Sequence, residues 1–168
     1  MKGEPMAQSD PTEILLRHHR WANDQLLNAC VALSDEQLDH EFEMGLGTLR
    51  RTLTHIAGAI RGWGDMIAGR EQHPRLEEQR LSLEDIRKAL TEATDDFETT
   101  TRAHDLDSIA TGSRGGRTFS FTRGGVLTHV TTHAMHHRAQ CLNMLRRLGV
   151  DPLPPSSVLE WMMMVDPV

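Results

Sequence analysis

The apolar residues of this chain recur in steps of three and four through four separate stretches, each bounded by residues that start or stop helices. In the first, Leu15, Ala22, Leu26, Ala29 and Leu33 follow Asp10-Pro11, an acid able to cap and a proline suited to a first turn. This predicts a helix ending near Ser34. The second carries the strongest amphipathic pattern: Leu49, Leu53, Ile56, Ile60, Trp63 and Ile67 follow a break bracketed by Gly45 and Gly47. The third opens at Ser82, where Asp85 gives most of a capping box, and aligns Ile86, Leu90, Ala93 and Phe97 before fraying near His104. The fourth runs from about Gly125 to about Leu148 with Val126, Val130, Cys141, Leu145 and Leu148 on its core face. It stops at Gly149, ahead of Pro152, Pro154 and Pro155.

Between the helices, Gly69 to Glu78 reads as a loop around Pro74. Thr111 to Gly125 is rich in Gly, Ser and Arg, and reads as a long connection that crosses the bundle. Within it Arg117-Thr118-Phe119-Ser120-Phe121 suits a short extended segment. Residues 1–9 read as a disordered tail. Residues 156–168 suit a short helix, with Trp161 and three methionines packed back onto the bundle. The pattern therefore predicts an all-α fold, a four-helix bundle, as a single domain over residues 10–168.

Composition narrows the function classes. A chain of 168 residues can bury a core without disulfide or metal staples. Its net charge of −6 argues against nucleic acid as the main partner, since that binding rests on clustered Lys and Arg. Cys30 and Cys141 are too few and too far apart for a disulfide framework, and read as small buried residues. No apolar run approaches the roughly 18–20 residues that cross a bilayer. The polar N-terminus lacks the apolar centre of a signal peptide, so no membrane association and a cytoplasmic location are expected.

The chain has ten histidines and no tyrosine, and four of the ten lie between His129 and His137. Residues four apart on a helix sit one above the other, so His129 with His133, or His133 with His137, could hold one metal ion. A helical wheel centred on Val130 and Cys141 separates the pairs. His137 lies about 40° from the centre, His133 about 80°, and His129 about 120°, with His136 nearly opposite. The inward pair is His133 with His137, and His136 faces solvent. Two buried imidazoles call for a cation or a dedicated hydrogen-bond network. A third ligand must come from another helix. His55 flanks the apolar stripe of the second helix, beside Gly58 and Gly62. His19 lies on the apolar face of the first, with His18 next to it. Periodicity leaves His55 and His19 level.

Three segments carry a resemblance across nearly the whole chain. They are Arg20-Trp21-Ala22-Asn23 with Leu26-Leu27, then Gly47-Thr48-Leu49 through Leu53-Thr54-His55-Ile56 to Trp63, and Leu127-Thr128-His129-Val130 through His133 to His137-Arg138-Ala139-Gln140. With these the chain resembles the DinB/YfiT-like family of four-helix-bundle metalloproteins, whose last motif commonly ends His-Arg-Gly-Gln; Ala139 here replaces the glycine. The resemblance implies His55, His133 and His137 as metal ligands, and an up-down-down-up bundle with a long crossover after the second helix. It also implies a homodimer and a thiol-dependent transferase or related enzyme acting on a small molecule.

Imidazole suits several metals, with zinc favoured by availability and nickel next; a low-molecular-weight thiol would be the second cofactor. Arg138 and Gln140 are candidate catalytic residues, Gln140 also as a partner to a ligand histidine. Asn23 and Trp63 are candidates for the pocket wall, and Arg114, Arg117 and Arg123 for binding an acidic thiol. The competing readings are a stress-induced sequestration protein with a structural metal, closed by a fourth ligand such as His19, and a metal-free histidine network.

Overall fold

A computed structural model describes residues 9–114 and 116–167, with only the backbone of Arg114; the expected tail at residues 1–8 lies outside the described residues. Helix α1 (Pro11–Cys30) starts as the sequence predicts, with the Asp10 side chain accepting from the Thr12 N–H. It ends before Ser34 because Ser34 caps a separate short helix, α2 (Asp35–Leu38), through a reciprocal capping box with Gln37. Helix α3 (Leu49–Ala68) is capped by Thr48, and α4 (Leu83–Arg102) by Ser82. Helix α5 (Arg123–Arg147) begins two residues before Gly125, since the Thr122 hydroxyl accepts from the Gly125 N–H.

The pairings between helices fix their directions. Along α1 and α4, Glu13 meets Arg102, Arg20 meets Glu98, and Asn28 meets Arg87, so the two are antiparallel. Arg50 near the start of α3 reaches the Leu81 carbonyl just before α4, while Gly64 lies against Asp96 and Phe97 near the end of α4. Those two helices therefore run the same way. His55 faces His133 and His137, and Trp63 faces His129, so α3 and α5 are antiparallel. The bundle is up-down-down-up, and Leu26, Leu53, Ile56, Ile60, Phe97 and Leu145 are among the residues buried at its centre.

Parallel succession of α3 and α4 forces the chain to travel back the full length of α3. Residues 69–82 do this, not residues 111–125. His73 sits beside Asp65, the Pro74 carbonyl accepts from Arg61, Glu77 reaches His55, and the Leu81 carbonyl accepts from Arg50. Leu76–Glu78 form one 3₁₀ turn on the way. The stretch expected to cross the bundle is instead a β-hairpin, β1 (Ile109–Arg114) paired antiparallel with β2 (Arg117–Thr122). Since α4 and α5 are antiparallel neighbours in direction, a hairpin can join them from one end. Arg123 anchors its base by donating to the carbonyls of Ile67 and Ile109 and to the Ser108 hydroxyl.

The tail forms α6 (Val158–Met164), and Trp161 is buried as expected. Met162, Met163 and Met164 are exposed, contrary to expectation, because so short a helix turns only one side to the bundle. Among the described residues no helix is long and apolar enough to cross a membrane.

The crossover is held at its start by Asp65, which is fully buried. Burial works to raise its pKa, but the His73 backbone N–H, Arg70 and the His73 ring together hold it below the usual carboxylate value. A depressed carboxylate stabilises the fold above its unfolded pKa of about 3.9, and this is lost as pH falls through the lower folded value. Asp65→Asn should cost about 2 kcal/mol at pH 7 in urea unfolding, and the difference from the parent should vanish at acid pH. A constant difference down to that pH would show that the charge contributes nothing.

Candidate metal centre

The three histidines that the resemblance selects come together. His55 of α3 and His133 and His137 of α5 form a group in which one ligand atom from each lies within 4.8 Å of the others. Nε2 of His133 is 3.3 Å from Nε2 of His55 and 3.2 Å from Nε2 of His137. Metal–nitrogen bonds of about 2.0–2.1 Å place neighbouring donors roughly 3.0–3.4 Å apart, so this spacing suits ligands of one ion.

The opposite ring nitrogens decide what those Nε2 atoms are. Nδ1 of His55 lies 3.0 Å from a Glu77 carboxylate oxygen, which only accepts, so Nδ1 carries the proton and Nε2 a lone pair. Nδ1 of His137 lies 2.8 Å from the Gln140 amide oxygen, with the same consequence. Two lone pairs therefore point at His133 Nε2. A neutral His133 has at most one proton to offer there, so one contact would set lone pair against lone pair. A cation between them satisfies all three at once. This also argues against the metal-free network.

Burial suits His133 and His137 to ligation by favouring their neutral form. Burial, then the neighbouring His137, His55, His129 and His136, pushes His133 down to about 4. Burial lowers His137 as well, against the opposing effect of its hydrogen bond to the Gln140 amide oxygen. The Glu77 carboxyl, despite burial, is held below its ordinary value by its own backbone N–H and by His55. It stays an anion behind the His55 ring, in the carboxylate–histidine arrangement common at metal sites.

Two glycines make these supports possible. A Cβ at Gly58 would stand 2.9 Å from a Glu77 carboxylate oxygen. A Cβ at Gly45, where φ is +51°, would stand 2.5 Å from the Gln140 amide oxygen. Glu77 escaped the sequence reading because it lies on an irregular connection with no periodicity. The one available signal was Gly58 on the face of His55, which invites a close approach.

A cavity of 650 Å³ opens beside the ligands, lined by His55 and His133, by Trp63 and Met66 of α3, and by Phe119 and Phe121 of β2, with the crossover closing one side. Of the candidate wall residues, Trp63 lines it and Asn23 does not. Asn23 is buried between α1 and α5, 3.2 Å from His19 Nε2, and accepts from Arg138.

Arg138 is itself 1% exposed, on the α1 side of α5, and burial pulls its pKa down to about 10. Gln140 contacts His137 and, through its amide nitrogen, lies 3.1 Å from His136. His19 stands apart from the three-histidine group, pushed to about 3 by burial and by Arg138, and His18 lies 2.9 Å from the Ser156 carbonyl. His129 and His136 are exposed. Arg117 is exposed on the hairpin, Arg123 is spent on its base, and the Arg114 side chain is outside the described residues. Cys30 and Cys141 are fully buried, and burial pushes both thiols up, Cys30 to about 12.

The model of the DinB family matches residues 6–162. A DinB-like protein from Bacillus cereus ATCC 10987, whose crystal structure is known, resembles this chain with a TM-score of 0.66 and 21% identity. The likeness covers 85% of this chain and 95% of that one, and is a likeness of fold. No curated protein matches the chain.

Replacing His133 with Ala should abolish stoichiometric divalent-metal binding, read by competition with a chromogenic chelator. Glu77→Ala should keep the site but weaken it by about 10- to 100-fold. Unchanged affinity in the Glu77 variant would remove that carboxylate from the metal's support.

Proposed function

The chain belongs to the DinB family, and on that premise we propose that it is a metal-dependent enzyme acting on a small molecule, of the thiol-dependent transferase type or a related hydrolase. The observation that carries this reading is the convergence of three imidazole nitrogens beside a cavity large enough for a substrate. A divalent ion on His55, His133 and His137, zinc first and nickel second, supplies Lewis acidity that lowers the pKa of a thiol or water beside it.

The chain's own part is to position and to exclude. Glu77 and Gln140 fix the tautomers and ring planes of His55 and His137. His55 and His133 face the cavity, leaving access for a thiol and for the electrophile it would attack. Trp63, Met66, Phe119 and Phe121 line that space with apolar surface and limit water around the reacting atoms. His19, the fourth ligand that the sequence offered, is held against Asn23 between α1 and α5, away from the three histidines. That favours an open centre over sequestration on a closed, structural one. A homodimer working in the cytoplasm completes the proposal.

Protein purified without a histidine tag should retain about one divalent ion per chain. In its cobalt-substituted form, titration with small thiols should produce a new sulfur-to-metal absorption band. A cobalt spectrum indifferent both to thiols and to small anions such as azide would favour the closed, structural site and sink the enzymatic reading.

A further inference from the structure

The cavity beside the histidines has a composition of its own. One face of α3 supplies His55, Gly58, Ala59, Gly62, Trp63 and Met66, residues spaced by three and four. The small ones sit between the metal ligand and the tryptophan. A Cβ built on Gly62 meets no atom within 4 Å, so the space over that glycine is open. Opposite, Phe119 and Phe121 alternate on β2 and turn the same way. Their rings lie 6.2 and 6.4 Å from the Trp63 ring, and His129 closes the set at 4.8 Å from Trp63. These separations are those of interacting aromatic rings. Phe121 remains 47% exposed, a large apolar ring left facing the cavity and solvent.

The polar element is Arg61. It lines the same cavity and donates to the Pro74 carbonyl. Among the described residues no carboxylate lies within ion-pair distance of it. Arg61 is half-buried, and unlike Arg123 at the hairpin base and Arg138 against α1 it lines the cavity. Its neighbour Arg75 is 3.8 Å from Glu77 and so shares an anion already present. An arginine keeps its charge at any physiological pH and presents donors suited to a carboxylate, sulfonate or phosphate.

We propose that this cavity binds a substrate with a flat aromatic body and an anionic end, the body over Gly62 against the Trp63, Phe119 and Phe121 rings, and the anion at Arg61. This rests on the enzymatic reading above in taking the occupant to be a substrate. The volume of 650 Å³ accommodates one such molecule. Trp63 lies on the same face of α3 as His55, and one cavity is lined by the ring cluster and by His55 and His133, so a molecule seated on the rings lies beside the histidines.

The test uses two dyes with one aromatic body: 8-anilinonaphthalene-1-sulfonate, and N-phenyl-1-naphthylamine, which lacks the sulfonate. Binding is followed by dye fluorescence on the zinc-loaded, tag-free protein. The sulfonate should bind roughly tenfold or more tightly than the neutral dye, the effect expected of a charge-assisted contact. Arg61→Gln, which keeps an N–H for the Pro74 carbonyl, should remove that preference and leave the neutral dye unchanged. Gly62→Leu should weaken both dyes at least tenfold. That substitution favours the helix, so its thermal midpoint and zinc content should not fall.

Equal affinity for the two dyes, or dye binding that survives Gly62→Leu, would overturn the proposal. Zinc content and thiol titration on the same samples keep the two readings apart. Dye selectivity without thiol response refutes the thiol enzyme and leaves the ligand class standing. Thiol response without dye selectivity refutes the ligand class alone.

Discussion

Helices α3 and α4 follow one another and yet run in the same direction, so the chain between them must span the length of a 20-residue helix. That is roughly 30 Å, and an extended segment of residues 69–82 can cover it. Lying along α3, this segment needs anchors at intervals, and it finds them at Asp65, Arg61, His55 and Arg50. The third of these anchors puts a carboxylate behind a histidine of the candidate metal site. The topology of the bundle and the chemistry of its site are therefore one constraint: a direct antiparallel turn after α3 would bring no Glu77 to His55.

The site also depends on what is kept small. Gly58 yields to Glu77, Gly45 yields to Gln140, and Gly62 yields to the cavity. Side chains at the first two would push out the groups that set the histidine tautomers. A side chain at the third would fill the space in front of them. The hairpin contributes the remaining wall, and Arg123 holds it against the end of α3.

A second buried polar layer lies between α1 and α5, where Arg138, Asn23 and His19 are linked in series. Arg138 Nε and His19 Nδ1 have no partner there. Burying a guanidinium opposite a neutral amide is costly. Burial accordingly lowers the Arg138 pKa, and His19 remains a neutral ring. Arg138 adjoins His137 in sequence, but successive helical residues point about 100° apart, which sends it to the opposite partner helix.

The four long helices were legible in the sequence because each carries its own periodicity and local start or stop signals, among them Asp10, the Gly45 and Gly47 break, Ser82 and Gly149. The inward pairing of His133 and His137 over His129 was legible for the same reason, a phase relation within one helix. The choice of His55 was open to periodicity and came from the resemblance, since no phase within one helix tells which other helix stands opposite. The residue pattern put the crossing at residues 111–125, the resemblance implied one after the second helix, and the tertiary structure places it at residues 69–82 and makes residues 109–122 a hairpin. The tertiary structure also decided that Glu77 supports His55 and that Arg138 and Asn23 face away from the cavity. Those are contacts between segments distant in sequence, set by helix direction, and hydrophobic periodicity carries the face of a helix but not the direction of its neighbour.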